Sequence, residues 1–287
     1  MYFPTKHRNI IYAVSITVGL VVWILLMLSG IYTPQLPYLI PLDMKVNYAF
    51  ALCILVAIIP PAIVEWNNSR WLQQVDKNIP RMLIDVSESI RSGMSLIRAL
   101  ETTSKNDYGP VSQQLEIAVV HFNLTSDLEN SLKWFGDSLI RPNGRRVATI
   151  LVEASRSGGK ILDVLDTSIQ MFTSIDEYQE EKKAVVSPYV MMVYVSSLIF
   201  LYMGYIVITQ FLQPLMSQNK NIPGVSQLVS QILPLGYYKA IIFWGAILEG
   251  LIGGFVVGKI TNSKAAAGLI HAALLIFITY IFYNVLL

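Results

Sequence analysis

The chain alternates between long apolar stretches and one long polar stretch. Residues 10–28, 46–64 and 189–212 carry no charged side chain, and residues 237–258 and 265–287 are nearly as apolar. Each stretch is close to the roughly 20 residues that a helix needs to cross the hydrocarbon core of a bilayer. The pattern therefore predicts five transmembrane helices.

The first two spans have distinct boundary signals. Lys6 precedes the first span, as it would in a secretory signal, but the apolar run exceeds the roughly 7–15 residues of a signal core, and no small-x-small cleavage site follows it. A retained span is our expectation, with cleavage as the alternative. The Pro60-Pro61 pair is predicted to end the second span, because a helix interior accepts proline only with a kink. Proline in residues 31–45 predicts an irregular loop between the two spans.

Residues 65–184 hold most of the charge of the protein. They contain 14 of the 21 Lys and Arg residues and 17 of the 19 Asp and Glu residues. Apolar residues recur within them at steps of three and four, which indicates helices. Gly93, Ser95, Asp127 and Pro142 occupy positions typical of helix ends and starts. Five or six short helices in about 120 residues predict a compact antiparallel bundle.

The predicted fold is therefore all-α: a polytopic membrane protein with about five transmembrane helices and a cytoplasmic antiparallel helical bundle. The sequence divides into an N-terminal two-span hairpin (1–64), the bundle (65–184) and a three-span region (185–287). Basic residues in short loops favour the cytoplasmic side of a membrane. This rule places residues 65–184 in the cytoplasm and the loops at 31–45 and 213–236 outside. The basic residues that carry the argument are Lys6, Arg8, Lys259 and Lys264.

The composition argues against several classes of function. With 54% hydrophobic and 14% charged residues, the chain lies far below the roughly 25% charge of soluble domains. A net charge of +2, with acidic and basic residues interleaved, gives no reason to expect nucleic acid. The single cysteine, Cys53, excludes an intrachain disulfide, and the three histidines are isolated from one another. We expect no metal and no cofactor.

The sequence also argues against an enzyme. The segment Ser157-Gly158-Gly159-Lys160 has the glycines and lysine of a phosphate-binding loop. It lacks the earlier glycine, where Ala154 stands, and the following Ser or Thr, where Ile161 stands. The end of one helix followed by the start of another explains the segment better. No catalytic motif is recognisable elsewhere, so no catalytic residue is predicted.

Two intramembrane features are candidate functional sites. One is a stripe of small residues in the fourth span at spacings of four, which lets another backbone approach closely. Tight packing within one subunit, a subunit contact and a surface for another membrane helix all fit this stripe. Its members are Ala246, Gly250, Gly254 and Gly258.

The second feature is the pair of ionisable residues Glu249 and His271 in the last two spans. If the hairpin turns near Asn262, their depths in the membrane differ by about 6 Å, so they could form a hydrogen bond. A polar pair that fixes helix register, a proton or substrate path, and a contact for an assembling partner remain open.

Charged residues of the bundle form two candidate docking faces. A solvated surface is the simplest interpretation of both faces. A face for an acidic partner would use Arg91, Arg98, Arg141, Arg145 and Arg146. An acidic face would equally use Glu88, Glu101, Asp163, Asp166, Glu177 and Glu180.

Two stretches of the polar region resemble the type II secretion F domain family. Residues 79–96 (IPRMLIDVSESIRSGMSL) are similar to the opening of that domain, and residues 151–165 (LVEASRSGGKILDVL) are similar to its second block. Glu153 and Gly158 match the Glu-x-x-x-x-Gly pattern of the second block. The glycine-rich fourth span and the segment around Gly268 resemble the archaeal pilus and archaellum branch (FlaJ- and TadC-like proteins).

The resemblance implies a plasma-membrane platform protein of a type IV pilus-like or type II secretion-like machine. Its expected partners are a hexameric secretion ATPase, which would dock on the basic residues above and on Glu153, and pilin-like subunits, which would contact the small-residue stripe. Only one copy of the domain is recognisable, so we expect a homodimer or a paired homologous subunit. A small transporter or channel subunit using Glu249 and His271, and a membrane anchor for another cytosolic protein, are the alternatives.

Overall fold

The computed structural model describes residues 2–29, 40–218 and 234–287, without the side chains of 216–218. These residues are almost entirely helical and contain no strand. Most of the two predicted loops lies outside the described residues. The parts concerned are 31–39, with Pro34 and Pro37, and 219–233, with Lys220 and Pro223. The helices are α1 (Thr5–Leu28), α2 (Met44–Arg91), α3 (Leu96–Thr103), α4 (Pro110–Thr125), α5 (Leu128–Ser138), α6 (Pro142–Arg156), α7 (Ile161–Ile206), α8 (Gln213–Gln218), α9 (Leu235–Asn262) and α10 (Leu269–Leu286).

Short non-α turns complete the helical path. A 3-10 turn at Gly158–Lys160 precedes α7, a π-helical segment at Val207–Leu212 follows it, and a second 3-10 turn at Ala265–Gly268 joins α9 to α10. Within the described residues, five helical segments are long and apolar enough to cross a membrane. The predicted all-α fold with five membrane-spanning helices is confirmed.

The chain separates into two compact units. We call Tyr2 with residues 68–185 the polar unit, and residues 3–67 with 186–287 the membrane unit. The sequence-based scheme instead set residues 1–64 and 185–287 apart as two membrane regions, whereas contacts within the chain group both apolar flanks in one unit.

The polar unit is built around one apolar core. The end of α2, helices α3–α6 and the first half of α7 contribute side chains to it, among them Met82, Leu115, Phe135 and Leu165. All four are almost completely buried. Burying each such side chain contributes about 1.5–3 kcal/mol. Amphipathic helices too short to be stable alone are therefore held by this core.

The helix ends of the polar unit follow the local sequence. Gly93 ends α2 with a φ of +97°, a conformation that glycine adopts without steric cost. Ser95 caps α3 by accepting a hydrogen bond from the backbone N–H of Arg98. Asp127 caps α5 in the same way through the N–H of Asn130, at 3.0 Å. These predicted signals are present in the structure.

The prediction that Pro60-Pro61 ends the second span is wrong, because α2 runs through both prolines to Arg91. A proline at position 61 cannot donate to the carbonyl of Ala57, four residues earlier. That carbonyl instead accepts a hydrogen bond from Ser15 Oγ of α1 at 3.1 Å. A neighbouring helix thus satisfies the backbone group that the proline leaves free, which is how membrane helices accommodate proline.

Helix α7 likewise differs from the expectation at Pro188. The sequence analysis begins the third span at residue 189, directly after this proline. The structure instead has one α-helix of 46 residues with Pro188 in its interior. The α-helical part ends at Ile206, and the π-helical segment completes the predicted span.

Candidate functional site

The small-residue stripe of α9 is buried against α10 and the turn before it. Ala246, Gly250, Gly254 and Gly258 are all buried. A Cβ atom built on Gly254 would lie 2.3 Å from the backbone N of Ala272, and one built on Gly258 would lie 2.1 Å from the N of Gly268. Only hydrogen atoms fit between the two backbones. The chain's own last helix therefore occupies the stripe.

The neighbouring glycines of α9 face α7. A Cβ on Gly253 would lie 2.9 Å from Cγ1 of Val193, and one on Gly245 would lie 3.3 Å from the ring of Phe200. Here the close atoms belong to side chains. Helix α9 therefore packs by backbone contact on one side and by side-chain contact on the other.

Glu249 and His271 have separate surroundings. The structure pairs His271 with Tyr194 of α7, whose hydroxyl lies 2.7 Å from Nδ1. Oε2 of Glu249 is buried and has no hydrogen-bond partner among the described residues. Tyr194 is the partner that sequence reasoning missed, since nothing in its apolar surroundings marks it as a polar contact. No hydrogen bond between Glu249 and His271 was found among these residues.

The two candidate charged faces of the polar unit are joined to each other. Arg91 forms an ion pair with Asp166 at 2.9 Å, and Arg98 forms one with Glu101 at 2.8 Å. Both carboxylates belong to the acidic set and both guanidinium groups to the basic set. The sequence treated these sets as alternative surfaces, whereas the structure combines part of each into one surface.

Arg141 differs from Arg91, Arg98 and Arg145 because its side chain and that of its partner are less exposed. Its guanidinium pairs with Asp76 of α2, which also accepts a hydrogen bond from Asn143 at 3.0 Å. The contact connects α2 to the start of α6. Arg141 is therefore placed to hold the unit together.

Arg145 and Arg146 lie in the first turns of α6 and are exposed. Arg145 pairs with Asp137 at 2.8 Å, and both side chains of that pair remain largely in solvent. Arg146 bonds the amide oxygen of Asn143 at 3.3 Å. Ion pairs this exposed are worth at most about 1 kcal/mol. An incoming acidic group could therefore compete for both cations at little cost.

Glu153 lies near the other end of α6, about 10 Å along the helix from Arg146 at 1.5 Å per residue. It is exposed and pairs at 3.5 Å with Arg156, which also bonds Glu129 of α5. A hydrogen bond from Lys133, and then the contact with Arg156, lower the pKa of Glu129 below its ordinary value. The docking candidates thus fall into two groups, at opposite ends of α6.

An apolar groove opens at the Glu153 end of the polar unit. We define the apolar groove by the residues that line it: Ile90, Met94, Ser95, Leu96, Ile97, Leu128, Ala154, Ser155, Gly158 and Ile161. Its volume is about 340 Å³. Two turns frame it, one at Gly93 and one at Gly158, both with positive φ. The sequence indicates each turn by itself but does not predict that the two turns lie close together in the fold.

Metal-binding geometry is not found. Across 2–29, 40–218 and 234–287, no three His, Cys, Asp or Glu side chains lie together in a way that could hold a metal ion.

Taken together, the fold defines a multi-pass helical membrane protein with a separate polar helical unit. Comparison with protein families matches residues 82–209 to the family described as type II secretion system (T2SS), protein F. The resemblance to the type II secretion F domain seen in the sequence is therefore confirmed over residues 82–209, whereas the resemblance to the archaeal branch stays a prediction. The match runs from the end of α2 through the whole bundle into the π-helical segment after α7.

Comparison with curated proteins adds one relative. The chain is 27% identical over 238 residues to an uncharacterized protein of Methanocaldococcus jannaschii. The match covers 80% of this chain and 37% of that protein, so the chain spans little more than a third of its relative's length. No solved structure matches the chain.

Proposed function

We propose that the protein is the membrane platform of a type IV pilus-like or type II secretion-like machine, where it couples a cytoplasmic secretion ATPase to the insertion or extraction of pilin subunits. The observation that carries this proposal is the F-domain match over residues 82–209, which includes both the bundle and a membrane helix. In this role the protein is not an enzyme, and the partner hydrolyses the nucleotide.

The polar unit is the part that meets the ATPase in this proposal. It carries most of the charge of the chain, and the basic residues of the short loops favour its placement in the cytoplasm. The exposed pair Arg145 and Arg146 offers two cations whose present partners are weak. An acidic surface of the ATPase would replace those partners.

Helix α7 is the element through which work on the polar unit would reach the lipid. It runs unbroken over 46 residues, which is about 69 Å at 1.5 Å per residue. Its first half contributes Leu165 and Phe172 to the core of the polar unit, and its second half contributes Leu201 to the core of the membrane unit. In this proposal, force passes along α7 from the polar unit into the membrane.

In this proposal, pilin subunits contact the exposed side of α9, which does not face α10. The small-residue stripe is closed by α10, so a pilin helix could use it only if the hairpin came apart. Leu248, Ile252 and Val256 of α9 are exposed instead. These apolar side chains fit the apolar helices of pilin subunits without separating α9 from α10.

The test is co-purification of the secretion ATPase with the full-length chain in detergent or nanodiscs. The double variant Arg145→Glu and Arg146→Glu should lower ATPase recovery about tenfold or more, because like charges then face each other across the contact. Lys105→Glu, a charge reversal on another connection of the polar unit, is the matched control and should bind normally. Unchanged recovery in the double variant would remove these residues from the proposal, and no ATPase with the wild-type chain would remove the proposal.

Membrane orientation gives an independent test. Cysteines introduced at exposed positions of the polar unit should react with an impermeant thiol reagent in inside-out vesicles and not in intact cells. Cys53, the single native cysteine, is buried and contributes little background. Labelling in intact cells would place the polar unit outside, beyond the reach of any cytoplasmic ATPase.

Assembly is the last part of the proposal. We propose that the F domain of residues 82–209 pairs with that of a second copy or of a homologous platform subunit, so that two bundles meet the ATPase. Native mass spectrometry of the purified complex should show two platform chains, and one chain per complex would contradict pairing.

A further inference from the structure

Glu249 has a carboxyl oxygen that no other described residue binds. The sequence of the membrane unit contains three acidic residues, Asp43, Glu65 and Glu249. Asp43 accepts a backbone hydrogen bond at 2.9 Å. Glu65 is buried, and its carboxylate accepts a hydrogen bond from the hydroxyl of Tyr12 and lies 3.5 Å from the guanidinium of Arg8. Oε2 of Glu249 is also buried, but it has no hydrogen-bond partner in the described part of the chain.

An unpartnered carboxyl oxygen is costly at this position. Glu249 is near the middle of α9, a helix of 28 residues that is long and apolar enough to cross a membrane. Ionisable groups inside a membrane pair with one another or face protein, because hydrocarbon offers no hydrogen-bond donor. Glu65 has a phenol and a guanidinium from the same chain for this purpose. The donor that Glu249 lacks is one that another molecule can supply.

Glu249 lies on the edge of α9 that packs against α7. Gly245 and Gly253, one turn before and one turn after it, lie against Phe200 and Val193 of α7. The two helices are therefore antiparallel here, since the later residue of α9 contacts the earlier residue of α7. The residues of α7 at the level of Glu249 are those midway between positions 193 and 200.

These midway residues of α7 are Ser196 and Ser197. Ser197 is buried, and the hydroxyl of Ser196 donates to the carbonyl of Val193 at 2.9 Å. Both side chains are small and neither carries a charge. Helix α7 therefore presents no cation to Glu249 at this depth.

The exposed side of α9 gives access to Glu249 from outside. Residues three and four apart are neighbours on a helix surface. Ile252, three residues after Glu249, is 63% exposed, and Leu248 on the same side is 56% exposed. The side chain of Glu249 is itself partly exposed. A helix that packs on Leu248 and Ile252 therefore has the carboxyl group of Glu249 at its edge, with α7 and α9 still in contact.

We propose that Glu249 binds a basic group carried by the apolar membrane helix of a pilin-like subunit. A carboxylate and an ammonium or guanidinium group form charge-assisted hydrogen bonds, which are stronger than neutral ones. Pairing also removes the cost that each charge has alone in hydrocarbon. A helix without a basic group gains only the apolar contacts. The inference rests on the proposed function and adds to it the chemical group by which the pilin helix is selected.

Synthetic helices test this chemistry without the rest of the machine. The probes are two fluorescent peptides of about 24 Leu and Ala residues, long enough to span a bilayer, that differ only in a central Lys or norleucine. Energy transfer to an acceptor dye on Lys264→Cys, an exposed position, measures their binding to the full-length chain in nanodiscs. We expect the Lys peptide to bind about tenfold more tightly. Equal binding of the two peptides would overturn the inference, and this comparison needs no change at Glu249.

Two variants test whether Glu249 causes the preference. Glu249→Gln keeps the size of the side chain and removes its charge, so the two peptides should bind alike. The matched control combines Glu249→Gln with Leu274→Glu, which returns a carboxylate to the hairpin at a position of α10 that is 46% exposed. It should not restore the preference, and restoration would refute a specific site. A tenfold preference that persists in Glu249→Gln would refute the role of this carboxylate. Melting temperatures check that each variant is folded.

Photo-crosslinking connects the site to the pilin-like subunit. A benzoyl-phenylalanine at Ile252, in the full-length chain co-expressed with that subunit, should capture its membrane helix at a segment that contains a basic group. Capture of a segment without a basic group, or of a second copy of this chain, would overturn the inference.

Failure of the inference is distinguishable from failure of the proposed function. If the secretion ATPase co-purifies with the chain while the two peptides bind alike, the inference fails and the proposed function stands. If the Lys peptide is preferred and no ATPase co-purifies, the proposed function fails, and with it the assignment of the basic helix to a pilin-like subunit.

Discussion

Gly254→Ala adds one methyl group where α9 and α10 are in backbone contact. The new Cβ would lie 2.3 Å from the N, 2.5 Å from the Cα and 2.5 Å from the Cβ of Ala272. Ordinary contacts of a Cβ begin near 3.4 Å. Helices α9 and α10 would therefore have to separate locally by about 1 Å.

The loss of stability depends on which atoms the new Cβ would meet. Two of the three atoms of Ala272 are main-chain atoms, which cannot rotate aside as a side chain can. Overpacking a well-packed site costs about 1–3 kcal/mol, and the upper end applies where the backbone must move. For a chain of this size, each kcal/mol corresponds to about 2–4 °C in melting temperature. We expect Gly254→Ala to lower the melting temperature by roughly 6–12 °C.

Cys53 makes the assay simple. It is the single cysteine of the chain and is buried, so a thiol-reactive fluorophore reports its exposure as the protein unfolds in detergent. Gly245→Ala in the same helix is the control. Its Cβ would meet only ring atoms of Phe200, at 3.3 and 3.8 Å, and these can shift by a few tenths of an ångström. The melting temperature of the control should fall by less than about 3 °C. Equal melting temperatures for the two variants would refute the backbone contact between α9 and α10.

Two further predictions concern single contacts. Ser15→Ala should destabilise the protein by about 1 kcal/mol, because the carbonyl of Ala57 then has no donor; the same labelling assay measures it, and an unchanged melting temperature would contradict it. The pKa of Glu129 is lowered by Lys133 and then by Arg156, so its stabilising effect is present above pH 4.5, the ordinary pKa, and is lost as the pH falls through the lower folded value. Thermal scans from pH 6 to 3 should show wild type and Glu129→Gln differing most at pH 6 and converging towards pH 3; a constant difference would contradict this.

The local parts of the fold were predictable because their signals lie within a few residues of one another. The glycine with positive φ at 93 and the caps at Ser95 and Asp127 are set by neighbouring backbone atoms, and the sequence shows them directly. The five spans follow from length and hydropathy alone. The continuation of α2 through its proline pair does not follow from the local sequence, because the carbonyl left without a donor there bonds a hydroxyl 42 residues away in α1.

The candidate site was predictable only as separate pieces. The sequence singled out both turns that frame the apolar groove, yet they lie about 65 residues apart in the chain, and only the packing of α3, α5 and α6 brings them together. The partners of the charged residues depend on the same packing, which is why Arg91 and Asp166 seemed to belong to different faces. His271 was recognised as unusual, while its partner Tyr194 lies in a run with no polar pattern.

The contacts of Gly254 with α10 and of Gly258 with the turn before it have a mechanical consequence. At these two positions the glycines have no side chain that could change rotamer, so the backbones have one close-packed arrangement. We expect the α9–α10 hairpin to behave as one rigid body. Relative motion within the membrane unit would then occur at contacts made by side chains, such as those of Val193 and Phe200 with the opposite side of α9.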